Sequence, residues 1–134
     1  MYIGLDLGTS GLKGVLIGGD QTVVAEATAP LEVSRPHPGW SEQAPAHWIA
    51  AAETVLDALA AHGLGQVRGI GLSGHMHGAT LLDKADDVLR PCILWNDTRS
   101  HAEAARLDGD PKFRAISGNI VFPGFTAPKL DWVR

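Results

Sequence analysis

The order of the first segments is the feature that most constrains the fold. Three apolar runs, at residues 2–7, 12–17 and 22–27, are separated by turns that contain glycine. Glycine supplies the positive φ that tight hairpin turns need, so these runs predict three strands, the third of which ends before Pro30. The chain is therefore expected to open with a three-stranded antiparallel meander.

A helix and a further strand follow the meander. Pro45 suits the first turn of a helix and Gly63 its C-terminal cap, and apolar residues recur between them at helical spacing. Residues 67–73 predict a fourth strand that is buried on both faces. Three antiparallel strands, a helix and a parallel strand form the opening of the ribonuclease H-like fold of actin, the Hsp70 ATPase domain and sugar kinases. We therefore expect an α/β protein with a mixed sheet flanked by helices.

The remainder of the chain predicts shorter elements. Residues 79–83 and 88–89 predict two strands around a turn, and residues 99–107 predict a short helix. Pro128 opens another helix, which has no glycine, asparagine or polar tail to end it. We therefore expect the chain to be truncated in the middle of this helix.

Composition excludes several classes of protein. The 134 residues fit one domain on length alone, and the net charge of −4 argues against non-specific binding of nucleic acid. The single cysteine, Cys92, excludes a disulfide framework within the chain and fits a reducing compartment. No apolar run approaches the ~20 residues that span a bilayer. We expect a cytoplasmic protein with neither nucleic acid nor membrane as a partner.

The strongest chemical signal is a carboxylate at the end of the first strand, followed by a turn with two glycines and two hydroxyls. Turn N–H groups and the Thr9 and Ser10 hydroxyls can donate to phosphate oxygens, and Asp6 can hold Mg²⁺ directly or through water. An ordinary hairpin with a solvated aspartate is the alternative, but its place in the meander favours phosphate. The predicted ligands are Asp6 for the metal and Gly8, Thr9, Ser10 and Lys13 for the nucleotide.

Two later motifs are less specific. Residues 69–74 match G-x-G-x-x-G, but the match lies inside a strand, so we interpret it as a close-packed central strand and not as a dinucleotide site. In extended chain His75 and His77 would point the same way, yet no further ligand spacing supports zinc. We favour a histidine that binds a polar substrate at the end of the strand; a hydrogen-bonded core histidine is the alternative.

Trp95 leads into a cluster of four polar residues. Its ring can stack on the C–H groups of a sugar while Asn96 and Asp97 bind hydroxyls. Asn96 or Asp97 can equally cap a helix. Both interpretations stay open, and they are compatible.

Several runs together resemble the FGGY carbohydrate kinases, and in particular their branch that acts on the ketopentose D-xylulose. The resemblance covers essentially the whole chain. The runs that carry it are residues 2–13, 34–43, 74–79, 93–97 and 123–130.

The resemblance implies two ribonuclease H-like lobes, of which residues 1–134 would be a truncated N-terminal lobe. It also implies transfer of the γ-phosphoryl group of ATP, with Mg²⁺, to the 5-hydroxyl of D-xylulose. Asp6 would lie near Mg²⁺ and the phosphates. Met76 and His77 would contact the sugar, and Trp95 and Asp97 would line the same pocket. The catalytic base, an aspartate, and the C-terminal lobe would lie beyond residue 134, so the chain alone is expected to be inactive.

Differences within the family favour a pentulose over glycerol. Glycerol kinases carry Arg-Glu where this chain has Met76 and His77, and a tyrosine where it has Gly124, whose smaller size would leave room for a longer substrate. Two alternatives stay open. One is another kinase of the family, acting on ribulose, gluconate or glycerol. The other is a non-enzymatic fragment that binds a partner or forms a homodimer through apolar residues such as Leu130, Trp132 and Val133.

Overall fold

A computed structural model describes all of residues 1–134, which divide into two compact units where length alone suggested one domain. The first unit comprises residues 1–33 and 45–75, and the second comprises residues 34–44 and 76–134. In chain order the elements are β1 (Tyr2–Leu7), β2 (Gly11–Ile17), β3 (Val23–Pro30), β4 (Glu42–Gln43), α1 (Pro45–Ala60), a 3-10 turn (Leu64–Gln66), β5 (Ile70–Gly74), β6 (Cys92–Ile93), α2 (His101–Asp108), α3 (Pro111–Ser117) and α4 (Thr126–Val133).

The first unit is built on a four-stranded mixed sheet. Its strand order is β3-β2-β1-β5, with β1 antiparallel to β2, β2 antiparallel to β3, and β5 parallel to β1. This arrangement confirms the predicted meander and the predicted parallel strand. β3 continues through Pro30, beyond its predicted end. Proline has no N–H group to donate, and an edge strand such as β3 tolerates it because only one side of the strand is paired.

The helix α1 covers β2 and β3 and closes the core of the first unit. Val55 and Leu59 are buried on its inner face, against Leu16. A Cβ atom added at Gly14 would lie 2.3 Å from Val55, so glycine is required where the helix approaches the sheet. The helix ends at Ala60, so the prediction that Gly63 caps it is wrong. Gly63, at φ 92°, lies in the turn that follows.

The fourth predicted strand differs from expectation in its environment. Within residues 1–134, β5 pairs with β1 on one side and forms an edge of the sheet, so the prediction of a close-packed central strand is wrong for this part of the protein. All five of its residues are exposed, and Leu72 is 81% exposed. The physical reason is that α1 packs on β2 and β3 and does not cover this strand.

The second unit combines short strands with three helices. β4 and β6 pair antiparallel, and an isolated bridge joins Ala79 to Ile93. The strands predicted at residues 79–83 and 88–89 reduce to single bridges around a turn in which Asp86 has φ 64°. α2 packs against α3 and α4.

Two predictions about the helices of the second unit need correction. α2 is preceded by Ser100 at its N-cap, so neither Asn96 nor Asp97 caps it. α4 begins at Thr126, before Pro128. The apolar residues that were expected to support self-association are only partly available, because Leu130 is 47% exposed whereas the Trp132 ring packs edge-on against Trp40 within the unit.

Candidate functional site

Asp6 lies on an open face of the sheet in the first unit. It is paired directly with Lys13 of β2 and with Ser73 of β5. Directly paired residues project from the same face of a sheet, so a carboxylate, an ammonium group and a hydroxyl lie side by side. These three residues, with Gly4 and Gly71, line a shallow depression of about 400 Å³. Gly4 and Gly71, which pair with each other two positions before Asp6 and Ser73, have no side chains to fill this depression.

The turn after β1 is held by its own backbone. The Gly8 amide donates to the Gly11 carbonyl at 2.9 Å, and the Leu31 amide donates to the Ser10 carbonyl at 3.0 Å. The predicted phosphate donor at Gly8 is thus engaged inside the turn, whereas Ser10 is exposed. A Cβ atom added at Gly11 would lie 2.9 Å from the Ala29 carbonyl oxygen. The glycines therefore shape the turn, and the Ser10 hydroxyl faces the solvent.

Lys13 extends from β2 toward the neighbouring strand β3. Its Nζ atom lies 3.0 Å from the carboxylate of Glu26, and both side chains are about half exposed, at 51% and 50%. Exposed ion pairs of this kind contribute ~0–1 kcal/mol to stability. An anionic ligand can therefore draw the Lys13 ammonium away from Glu26 at little energetic cost.

His77 occupies a turn of the second unit with left-handed backbone. Its φ is 63°, and the extended chain has ended at Gly74, so the prediction that His75 and His77 project the same way is wrong. His77 is exposed, and Met76 is 61% exposed. The imidazole lies 4.7 Å from the ring of Phe125, measured between centroids. Two of the predicted sugar contacts are therefore accessible, and one has a fixed aromatic neighbour.

Lys129 is a buried lysine that sequence reasoning did not single out. Its Nζ atom donates to the His77 carbonyl at 2.7 Å and to the Gly124 carbonyl at 2.6 Å, and the residue is 0% exposed. Burial lowers the pKa of Lys129 to about 8, against an opposing effect of the nearby Asp97 carboxylate. A lysine in a short helix carries no sequence signal of burial, because its partners are backbone carbonyls, which every residue type has.

Trp95 lies just beyond β6 and is 46% exposed. A Cβ atom added at Gly124 would lie 2.4 Å from the Trp95 carbonyl oxygen, so the two backbones are in close contact. The packing itself therefore requires glycine at position 124. This finding gives Gly124 a reason other than the predicted room for substrate. Through Gly124 and Lys129, the segments that carry His77 and Trp95 come together.

Asp97 is directed into the second unit and not toward solvent. Its Oδ1 accepts from the Arg99 amide and Nε, both at 2.9 Å, and its Oδ2 accepts from the Ser41 amide at 2.6 Å and from Arg99 Nη2 at 2.7 Å. Asp97 is 0% exposed. Burial would raise the pKa of Asp97, but the hydrogen bonds from Arg99 and Ser41 outweigh it and lower the pKa. The predicted direct contact with sugar has no geometric support here, since both oxygens are engaged within the unit.

The guanidinium of Arg99 links the Asp97 carboxylate to Glu42 and Trp40. It donates to Glu42 at 2.7 Å and lies 3.6 Å above the Trp40 ring. Glu42 also accepts from Arg90 at 2.9 Å. Burial would lower the pKa of Arg99, but the hydrogen bonds to Asp97 and Glu42 raise it. This network of charges and aromatic rings holds the backbone next to Trp95.

The other residues considered for chemistry do not form a cluster. His75, in the first unit, packs edge-on against Trp48, and its Nε2 atom is buried without a hydrogen-bond partner. No three His, Cys, Asp or Glu side chains come together in a way that could hold a metal ion. Cys92 is buried, and burial raises the pKa of its thiol. None of the helices has the length and apolar character needed to cross a bilayer.

Comparison with known proteins gives one consistent family. Residues 1–134 match the model of the FGGY family of carbohydrate kinases, N-terminal domain. The chain is 56% identical to the xylulose kinase of Klebsiella pneumoniae over its whole length and 53% identical to that of Escherichia coli. The chain spans only 28% of the length of each of these relatives.

Solved structures agree with the sequence relatives. The crystal structure of a xyloylose kinase from Brucella ovis is 67% identical, with a TM-score of 0.95 over 98% of this chain and 28% of that one. The xylulose kinase from Rhodospirillum rubrum is 37% identical, with a TM-score of 0.87 over 98% of this chain and 28% of that one.

Proposed function

Because the chain belongs to the FGGY family of carbohydrate kinases, we propose that it is the N-terminal portion of an ATP-dependent kinase that converts D-xylulose to D-xylulose 5-phosphate. The observation that carries this proposal is 56% identity with a xylulose kinase along the entire chain. The remaining part of the N-terminal lobe and the C-terminal lobe would supply the catalytic aspartate and most adenosine contacts. ATP and free sugar are cytoplasmic substrates, and we place the enzyme there.

The first unit would receive the phosphates of ATP. Ser10 and Thr9 carry hydroxyls in the turn after β1, and Lys13 is held only by an exposed ion pair. Hydroxyl donors and a mobile ammonium group are suited to phosphate oxygens. Gly8 would contribute by shaping the turn, because its amide is bonded to Gly11.

The donor set around Asp6 fits a hydrated magnesium ion. Mg²⁺ is usually bound by one or two carboxylates together with substrate phosphates and several waters. Asp6 is an exposed carboxylate beside an open depression, with the Ser73 hydroxyl on the same face. Asp6 would hold the ion directly or through water, and the bound ion would neutralise charge on the phosphates. The role of the chain in this step is to orient that carboxylate.

The second unit would receive the sugar. Met76 and His77 are exposed, and Trp95 presents about half of its surface to solvent. An imidazole can exchange hydrogen bonds with sugar hydroxyls, while an aromatic face and a thioether pack against C–H groups. Asp97, with both oxygens engaged, would act by supporting the backbone beside Trp95 and not by touching the sugar.

Phosphoryl transfer depends on positioning and on stabilisation of charge. Residues 1–134 offer candidate positions for the phosphates and the sugar but no assigned base, so we propose that they are inactive alone. A robust ADP signal from the 134-residue chain with D-xylulose would contradict that statement.

The direct experiment uses the purified whole kinase with ATP, Mg²⁺ and D-xylulose. ADP release is followed with a coupled assay, and the position of the phosphate is read from phosphorus–carbon coupling by NMR. The proposal predicts ADP release that depends on the sugar and phosphate on the 5-hydroxyl. Sugar-independent ATP hydrolysis, or phosphate at another hydroxyl, would overturn it.

A further inference from the structure

Lys129 lies where three loops of the second unit meet. It donates to the carbonyls of His77 and Gly124 at 2.7 and 2.6 Å. Gly124 in turn packs so closely on the Trp95 carbonyl that a Cβ atom would lie 2.4 Å from it. The loop before α4 also supplies Phe125, whose ring lies 4.7 Å from the His77 imidazole. A single buried side chain thus links the segment that carries Met76 and His77 to the segment that carries Trp95.

A lysine is a costly residue at this position. It is 0% exposed, and a buried ammonium group loses its hydration unless hydrogen bonds compensate for it. A methionine or leucine would fill the same volume without that cost. Unlike methionine or leucine, lysine can donate to two carbonyls at the same time.

One of these two donors reaches a residue whose backbone conformation must be held in place. Its φ of 63° lies in the left-handed region, which is unfavourable for a residue with a Cβ atom. Residues are held in such conformations only when their surroundings impose them, and they are common at ligand sites. The hydrogen bond from Lys129 holds the carbonyl of this very residue.

We propose that Lys129 is a positioning residue that fixes the turn of His77, and with it the imidazole, in the geometry that binds the sugar. This inference rests on the proposed function, because it needs His77 to bind D-xylulose. Lys129 is buried and touches no reacting atom in this arrangement. Its loss is therefore expected to weaken sugar binding and to leave the chemical step largely unchanged.

The test compares Lys129→Met with His77→Ala in the whole kinase. We expect each variant to raise the KM for D-xylulose about tenfold or more, with kcat and the KM for ATP within about threefold of wild type. Lys112→Met makes the same substitution at an exposed lysine of α3 and is expected to match wild type. If Lys129→Met loses its cooperative thermal transition, Lys129→Gln, whose amide keeps a donor, replaces it.

The double variant separates positioning from general damage. If Lys129 acts through His77, the KM of Lys129→Met/His77→Ala exceeds that of His77→Ala by less than about threefold, because the two effects share one contact. If the increase in KM of the double variant equals the product of the two single increases, the inference is overturned. A folded Lys129 variant with the wild-type KM for sugar would also overturn it.

The two proposals fail in different ways. If His77→Ala keeps the wild-type KM for D-xylulose, the sugar-binding role of His77 is wrong, and the inference about Lys129 is wrong with it. If His77→Ala raises the KM and the Lys129 variants do not, the proposed function stands and only the inference about Lys129 is wrong.

Discussion

Arg99 and Asp97 form a buried, two-pronged ion pair: Nε donates to Oδ1 at 2.9 Å and Nη2 donates to Oδ2 at 2.7 Å. The two side chains are 1% and 0% exposed. The pair also binds the Ser41 amide, through Asp97, and Glu42, through Arg99. Ser41 and Glu42 come from a different segment of the second unit, so the pair determines how the two segments join.

Removal of the Asp97 charge should therefore be costly. Asp97→Asn leaves the Arg99 guanidinium buried with Glu42 as its remaining partner, and we expect a loss of about 3–5 kcal/mol in the free energy of unfolding. Glu26→Gln is the control, since it breaks an ion pair whose members are half exposed, and should cost under about 1 kcal/mol. Urea unfolding of both variants tests this. Equal losses would contradict the importance of the buried pair.

The lowered pKa of Asp97 predicts a dependence of stability on acid. The pKa of Asp97 in the folded state lies below the ordinary value of about 3.9, so the ionised carboxylate contributes fully to the free energy of unfolding above that pH. It is lost as the pH falls through the folded value. Urea unfolding measures the difference in free energy of unfolding between wild type and Asp97→Asn. We expect this difference to become smaller as the pH falls below about 4. A difference that is constant with pH would contradict this prediction.

Lys129 predicts a dependence of stability on alkaline pH in the same direction, with stability rising as the pH rises. Its folded pKa of about 8 lies below the ordinary value of about 10.4, so between these values the folded state binds fewer protons and stability rises with pH. The charged groups that act on it are Asp97, Cys92 and Arg99. We expect wild type to gain about 1 kcal/mol per pH unit relative to Lys129→Met between pH 8.5 and 9.5.

The thiol of Cys92 interacts with Lys129, so the comparison is made in a Cys92→Ala background. Burial raises the pKa of Cys92, and this substitution removes the titration of the thiol from both proteins. Urea midpoints at several pH values measure the difference. Parallel curves for wild type and variant would show that Lys129 does not titrate in this range.

The contact between Gly124 and Trp95 predicts a steric effect. Gly124→Ala brings a Cβ atom to 2.4 Å from the Trp95 carbonyl oxygen, and the backbone must shift to relieve the overlap. We expect a loss of about 1–3 kcal/mol in stability. Gly65→Ala is the control because nothing lies within 4 Å of its Cβ position. Thermal unfolding of both variants measures the effect, and a Gly124→Ala protein as stable as the control would contradict the close contact.

Asp6 and His77 are predicted to affect different kinetic constants of the whole kinase. Asp6→Asn should lower kcat about a hundredfold, because its charge would act on the metal and the transferring phosphate. His77→Ala should chiefly raise the KM for D-xylulose. Asp57→Asn and His62→Ala repeat these substitutions at exposed positions and should behave as wild type. Wild-type kinetics for both Asp6→Asn and His77→Ala would show that the site assignment is wrong.

The sequence predicted those parts of the fold that depend on neighbouring segments. β1, β2 and β3 pair across short turns, and the apolar face of α1 repeats at helical spacing, so local pattern suffices. The environment of β5 was not predictable, because the apolar run at residues 70–74 does not reveal which elements cover it. Exposure of a strand is decided by packing between distant segments.

The candidate site divides in the same way. Asp6 and the turn after it are local features, and the Asp6 carboxylate is exposed near the end of β1. Asp97 was predicted to face a ligand, but its neighbour Arg99 closes on both of its oxygens. The burial of Lys129 was not predicted, because its partners are the backbone carbonyls of His77 and Gly124. Every residue type has such a carbonyl, so the sequence does not show which ones accept a hydrogen bond.

The most direct test of the central claim is the substrate preference of the purified whole kinase. The value of kcat/KM is measured with saturating ATP for D-xylulose, D-ribulose, gluconate and glycerol in parallel. We expect the kcat/KM for D-xylulose to exceed that for each of the other three compounds by about a hundredfold or more. A higher kcat/KM for any of the other three, or no phosphorylation of D-xylulose, would contradict the account.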